Sequence, residues 1–126
     1  MAVYLLDTTE VIRYLRNIPE TVTRIRDLAR NGHTLGCTCI TVGEVYAGMK
    51  PREKEKTDLL LDSLSYFEPS RETAKVAGKW AREYQSRGLK LTILDTLIAA
   101  VAYQEKALLI TDNKKDFPMS EIEFAF

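Results

Sequence analysis

Histidine and cysteine are scarce in this chain, with one His and two Cys among 126 residues. A single imidazole cannot form a catalytic His pair, and it makes a Ser/His/Asp triad hard to assemble. His33, inside Asn31-Gly32-His33, reads as a surface turn residue. Cys37 and Cys39 stand two apart in an expected strand, where their side chains would point to opposite faces, so a mutual disulfide is geometrically poor. With no CxxC and no His beside them they do not read as a zinc site, and both are expected to be small buried hydrophobes. Reduced thiols suit a cytoplasmic protein. No basic segment leads into an apolar stretch with a cleavage site, and no run approaches the roughly 18 apolar residues of a membrane helix. Net charge is absent as well: 18 basic residues balance 18 acidic ones. Any polyanion must therefore be held by a local patch.

Short apolar runs separated by amphipathic stretches are what the chain does contain. Val3 to Leu6 is continuous rather than alternating, as in a strand buried on both faces of a parallel sheet. Asp7-Thr8-Thr9-Glu10 has the form of a capping box opening a helix to about Arg16. Pro19 suits the first turn of a second helix, with Val22, Ile25, Leu28 and Ala29 on one stripe and Asn31-Gly32 as its stop. Thr34 to Thr38 predicts a second strand. Thr41-Val42-Gly43-Glu44 predicts a second capping box, leading to a helix that ends near Gly48 to Pro51. Arg52 to Ser65 predicts a helix carrying Leu59, Leu60, Leu61 and Leu64, and Tyr66 to Glu68 a short strand. Two more helices follow, from Glu72 to Ser86 and from Asp95 to about Lys106, with Gly88 capping the first. Ala107 to Thr111 and Ile122 to Phe126 predict the last strands. This alternation predicts one α/β domain over residues 1–126, a three-layer α/β/α arrangement with a mainly parallel central sheet.

Acids stand where apolar runs end: Asp7 after Ala2 to Leu6, Glu44 after Ile40 to Gly43, Asp95 after Leu91 to Leu94, and Asp112 and Asp116 after Leu108 to Thr111. Each alone suits a helix cap worth about 1 kcal/mol. Jointly they point elsewhere, because ligands in open α/β sheets bind beyond the carboxyl ends of the strands. Gathered there, like charges raise one another's pKa and call for a cation. Ligands that are all oxygen favour Mg²⁺ or Mn²⁺ over zinc. Such ions suit phosphoryl chemistry.

Four strings carry a resemblance: Leu5-Leu6-Asp7-Thr8, Ile40-Thr41-Val42-Gly43-Glu44-Val45-Tyr46-Ala47-Gly48, Asp95-Thr96-Leu97-Ile98-Ala99-Ala100, and Leu109-Ile110-Thr111-Asp112-Asn113-Lys114-Lys115-Asp116-Phe117. In order and spacing they resemble the motifs of PIN-domain nucleases, and more narrowly of VapC-type toxins. The resemblance implies an endoribonuclease dependent on Mg²⁺ or Mn²⁺, a homodimer, and neutralisation by a VapB-like antitoxin. It implies that Asp7 and Asp95 hold the metal directly and that Glu44 is the third acid. Asp116 is the preferred fourth, with Asp112 and Asn113 as alternatives. Thr8 and Thr111 would orient a phosphate or carboxylate, although a capping or turn role fits them equally.

Flanking phosphates of an RNA substrate need cations outside the acid cluster. The candidates are Arg13, Arg16, Lys50, Arg52, Lys54, Lys114 and Lys115, with Tyr46 for stacking on a base. Leu59 to Leu64 and the helix of Trp80 offer apolar surface for a second copy or an antitoxin. The competing functions are a DNA or structure-specific nuclease of the same fold and a module that binds RNA or a partner without cutting. A phosphoacceptor receiver domain lacks support, because no adjacent acid pair follows the first strand.

Overall fold

Five strands, too short to be stable singly, form one sheet: β1 (Val3–Leu6), β2 (Thr34–Thr38), β3 (Ser65–Phe67), β4 (Leu108–Ile110) and β5 (Glu123–Phe124). Their order is β3-β2-β1-β4-β5, and every pairing is parallel. The computed structural model describes residues 1–126. Parallel neighbours require long crossovers, and helices supply them. Between β1 and β2 lie α1 (Thr8–Leu15) and α2 (Pro19–Arg30), and between β2 and β3 lie α3 (Cys39–Gly48), a 3-10 turn (Pro51–Glu53) and α4 (Lys54–Ser63). Between β3 and β4 lie α5 (Arg71–Ser86) and α6 (Ile93–Gln104), and a second 3-10 turn (Lys114–Asp116) precedes β5. No helix is long and apolar enough to cross a membrane.

Side chains alternate across a strand, so consecutive residues of β1 serve different layers. Leu5, opposite Leu109, packs with Trp80, Ile98, Val101 and Phe117 in the α5/α6 layer. Leu6, opposite Ile110, packs with Val11, Ile25, Val45 and Leu60 in the layer of α1 to α4. Both leucines are fully buried, which is why β1 reads as an unbroken apolar run. The sheet is thus central to three α/β/α layers, as the alternation predicts.

Several local expectations fail for physical reasons. Helix α3 begins at Cys39, because the Thr38 hydroxyl caps it by accepting the Thr41 amide at 3.4 Å. Thr41 and Glu44 are therefore interior helix positions and form no capping box. Cys39 is exposed on that helix while Cys37 is buried in β2, so only one of the pair is a core residue, and both thiols are free. Burial pushes the Cys37 thiol up to about 11. Asp7 does cap α1, accepting the Thr8 amide at 2.8 Å, but Glu10 turns into the protein instead of back to the cap. No strand precedes Asp95: Thr92 caps α6 by accepting the Asp95 amide at 3.1 Å. His33 is half-buried, its Nδ1 accepting the Ala2 amide at 3.2 Å and its ring meeting Tyr4 edge-on. Trp80, Leu60 and Leu64 are core residues, whereas Leu59, Leu89, Ile93, Leu94 and Tyr103 are among the large apolar side chains left exposed.

Gly36 of β2 faces Leu5 in register on one side and Ser65 on the other. A Cβ there would collide with the Phe67 ring and lie 2.9 Å from the Ser65 carbonyl oxygen. Gly36→Ala should cost about 1–3 kcal/mol of stability in urea denaturation. Gly78→Ala, in open space within α5, should instead gain about 0.5–1 kcal/mol.

Candidate functional site

Chain direction across the sheet reverses at β1, which has β2 on one side and β4 on the other. The crevice beyond such a switch point is where α/β sheets receive ligands. Asp7 stands in it. Its amide donates to the Ile110 carbonyl at 3.0 Å, tying the end of β1 to the end of β4. Its Oδ1 accepts the Thr8 amide at 2.8 Å, and its Oδ2 accepts the Thr111 hydroxyl at 2.8 Å. Burial raises this carboxyl above its ordinary value of 3.8, and the like charge of Glu44 adds to the rise against those hydrogen bonds.

Three other acids share the crevice from different elements. Glu44, on the second turn of α3, accepts the Thr8 hydroxyl at 2.6 Å, and that hydroxyl lies 3.2 Å from the Thr41 hydroxyl. Thr8 thus latches α1 to α3. Asp95 lies in the first turn of α6, half-buried, and burial raises its carboxyl above 3.8. The charges of Asp7, Asp116 and Glu44 push it further in the same direction. Asp116 ends the second 3-10 turn, its amide donating to the Asn113 carbonyl at 2.9 Å. The next residue, Phe117, is only 1% exposed and anchors this loop in the α5/α6 core. Asp95 therefore feels the charge of the other three acids, although no three of them close tightly enough to hold one ion by themselves.

The strand-end rule locates this crevice, but only Asp7 directly follows a strand. Glu44 arrives from within a helix, and Asp95 follows a loop. Among the alternatives for the fourth place, Asp112 is drawn aside, its Oδ2 lying 3.2 Å from the Arg13 Nε. Arg13 also reaches Glu20 at 3.3 Å and the Thr21 hydroxyl at 3.1 Å. Asn113 opens the turn, and its amide donates to the Thr111 hydroxyl at 3.0 Å. Thr8 and Thr111 both donate their hydroxyls to acids of the crevice, Glu44 and Asp7.

Several expected RNA-binding cations are engaged elsewhere. Lys54 pairs with Asp58 at 2.7 Å, and Asp58 also accepts the Tyr46 hydroxyl. Lys114 donates to the Phe126 carbonyl. Missed altogether by sequence reasoning is Glu10. It is fully buried, neither carboxyl oxygen has a hydrogen-bond partner, and the Arg24 guanidinium lies 3.9 Å away. The sequence signal was thin, because an acid three residues past a helix cap fits a capping box equally well.

The PIN domain family profile matches residues 4–123. Ribonuclease VapC19 of Mycobacterium tuberculosis is 29% identical over 115 residues, covering 91% of this chain and 92% of that protein. Ribonuclease VapC2 of Rickettsia felis is 28% identical over 120 residues, covering 91% and 90%. The crystal structure of VapBC2 from Rickettsia felis, bound to a DNA fragment from their promoter, superposes with a TM-score of 0.86 at 25% identity, covering 97% of this chain and 96% of that one.

Glu10 gives the region a measurable pH signature. Burial raises its carboxyl above 4.5, Asp112 adds to the rise, and Arg24 and Arg13 oppose it. The folded chain thus holds this proton more tightly than the unfolded chain does. Ionised Glu10 is a penalty on the fold, present above its folded pKa and relieved as pH falls through that value towards 4.5. Glu10→Gln should unfold at higher urea than the wild type at pH 8, with a lead that shrinks to nothing near pH 4. A variant less stable at pH 8 would mean that the Arg24 contact outweighs desolvation.

Proposed function

The chain belongs to the PIN-domain family, and on that premise we propose that it is a metal-dependent endoribonuclease cleaving RNA phosphodiester bonds at Asp7, Glu44, Asp95 and Asp116. The observation that carries this reading is the convergence of acids from separate parts of the chain at the end of β1, where Thr8 bonds Asp7 by its amide and Glu44 by its hydroxyl, Thr111 bonds Asp7 from beyond β4, and Asp95 feels the charge of all three other acids. Such a concentration of negative charge suits a cation. Its donors are carboxylate and hydroxyl oxygens, the set that fits Mg²⁺ or Mn²⁺. Mg²⁺ keeps several waters and is commonly held by one or two carboxylates together with substrate phosphate. That habit agrees with a crevice where no three acids close on one point. Asp7 and Asp95 would hold the ion, and Glu44 and Asp116 would reach it through water.

Bound there, a cation supplies acidified water as the nucleophile and positive charge for the leaving oxygen. The chain's own groups do the positioning. Thr111 and the Thr8 amide hold the two oxygens of Asp7 apart and fix its plane. The Thr8 hydroxyl holds Glu44. Names of the relatives support RNA as the substrate. The promoter-bound VapBC2 structure supports a VapB-like antitoxin as partner. We extend the reading to a cytoplasmic homodimer, for which Leu89, Ile93 and Leu94, close in sequence and exposed, are apolar side chains a second copy would cover.

Asp7→Asn and Asp95→Asn should each slow cleavage of single-stranded RNA by about 100-fold or more, the loss expected when about 3 kcal/mol of transition-state stabilisation is removed. EDTA should abolish wild-type cleavage and Mn²⁺ restore it, while Mn²⁺ raises the Tm of the wild type more than that of either variant. Variants that cut RNA at the wild-type rate would sink the proposal. Equal cleavage of DNA of the same sequence would replace RNA by nucleic acid in general.

A further inference from the structure

A cleft of about 540 Å³ opens beside Glu44, between α1, α3 and the residues that follow α3. Its volume falls within the roughly 300–1,000 Å³ typical of ligand sites. Arg16, Lys50, Arg52 and Lys56 line it, against only Glu44 and Glu53. Three of these six already have work within the fold, Glu44 among them as acceptor of the Thr8 hydroxyl. Lys56 donates to the Leu15 carbonyl at 2.8 Å and to Asn17 Oδ1 at 3.2 Å, fixing the turn after α1 in which Asn17 adopts a φ of 57°. Glu53 accepts the Lys50 backbone amide at 2.7 Å and so closes the 3-10 turn. Arg16, Lys50 and Arg52 remain. All three are exposed, and none takes part in an ion pair, unlike Arg13, Arg24, Arg30, Lys54, Lys75 and Lys79.

Like charges gathered without acid partners repel one another, and an anion relieves them. The position of the cleft says which anion. It shares Glu44 with the acid crevice, and that crevice repels phosphates unless cations nearby hold the rest of the strand. We propose that this cleft holds the single-stranded RNA flanking the scissile phosphate, with Arg16, Lys50 and Arg52 each pairing with a backbone phosphate. The assignment rests on the ribonuclease reading above and makes these three residues positioning groups for that substrate. An acidic protein segment is the competing occupant. It is disfavoured because it would have no reason to run into a crevice of four carboxylates.

The test is fluorescence anisotropy with a labelled single-stranded RNA of about ten nucleotides, within the usual site sizes for single strands, in EDTA so that the strand stays intact. Three phosphate contacts should give a slope of about −2 in log Kobs against log[KCl]. Arg16→Ala, Lys50→Ala and Arg52→Ala should each weaken binding about fivefold and reduce the slope by about 0.7. Lys79→Ala, on α5 in the opposite layer and 4.0 Å from Glu83, should change neither. A triple variant that retained a wild-type circular dichroism spectrum and still bound RNA with the wild-type slope would overturn the proposal. So would a poly-glutamate peptide that bound through these three residues where RNA did not. The two readings fail separately. A chain that binds RNA through the three cations but never cuts it with Mn²⁺ keeps the cleft and loses the ribonuclease. A chain that cuts RNA but is indifferent to the three cations keeps the ribonuclease and loses the cleft.

Discussion

Burial of an acid at the end of the central strand is the constraint on which the rest of the structure depends. Asp7 is 5% exposed, and desolvation penalises its charged form more than any other influence acting on it. Leaving such a group unpaired costs several kcal/mol, and hydrogen bonds to a charged group return about 1.5–3 kcal/mol each. The Thr8 amide requires α1 to start immediately after β1, and the Thr111 hydroxyl requires β4 to lie next to β1. The order β3-β2-β1-β4-β5 meets that second condition by bringing together residues 104 apart in sequence. Topology and electrostatics are one requirement here.

Charge is balanced in total but not in place. Six of the cations outside the cleft are in ion pairs, among them Arg13 on Asp112 and Glu20, Lys54 on Asp58, and Lys79 on Glu83. Arg13 draws Asp112 aside, while Asp116 is the acid of that loop which acts on Asp95. A neutral sequence can thus carry an acidic crevice and a basic cleft side by side, with Glu44 on the boundary between them. Net charge alone conceals both.

The sequence made the layers legible because burial on both faces of β1 leaves an unbroken apolar run, and because the stripes of α2 and α5 repeat at the helical period. Asp7 was legible for the same reason, as the first polar residue after that run. Glu44 does lie beside Asp7, but the local picture that singled it out differs from the structure. Ile40, Thr41 and Val42 are β-branched and resemble a strand end, yet the Thr38 cap carries the chain into a helix two residues earlier. The run before Asp95 misled similarly. Leu91, Ile93 and Leu94 look like a buried strand, but Ile93 and Leu94 are about half exposed in this chain, and no strand precedes α6. Glu10 was illegible because nothing local separates a capping acid from a buried one. Its partner Arg24 lies on another helix, and only tertiary packing brings the two together.

The four acids divide evenly between the two helical layers. Asp7 and Glu44 belong to the side of α1 and α3, where Val11 and Val45 pack in one core. Asp95 and Asp116 belong to the side of α6 and its adjoining loop, where Ile98 and Phe117 pack in the other. The sheet supplies residues to both cores, and α3 reaches both as well, through Ile40 on one side and Val42 and Val45 on the other. The spacing of the two acid pairs is therefore set by how each layer seats on β1 and β4, where Leu5 and Leu109 face one way and Leu6 and Ile110 the other. Close-packed interiors transmit displacement rather than absorbing it. A cavity made beneath Phe117 would consequently act on the acid site through Asp116, one peptide bond away, as directly as a change among the acids themselves.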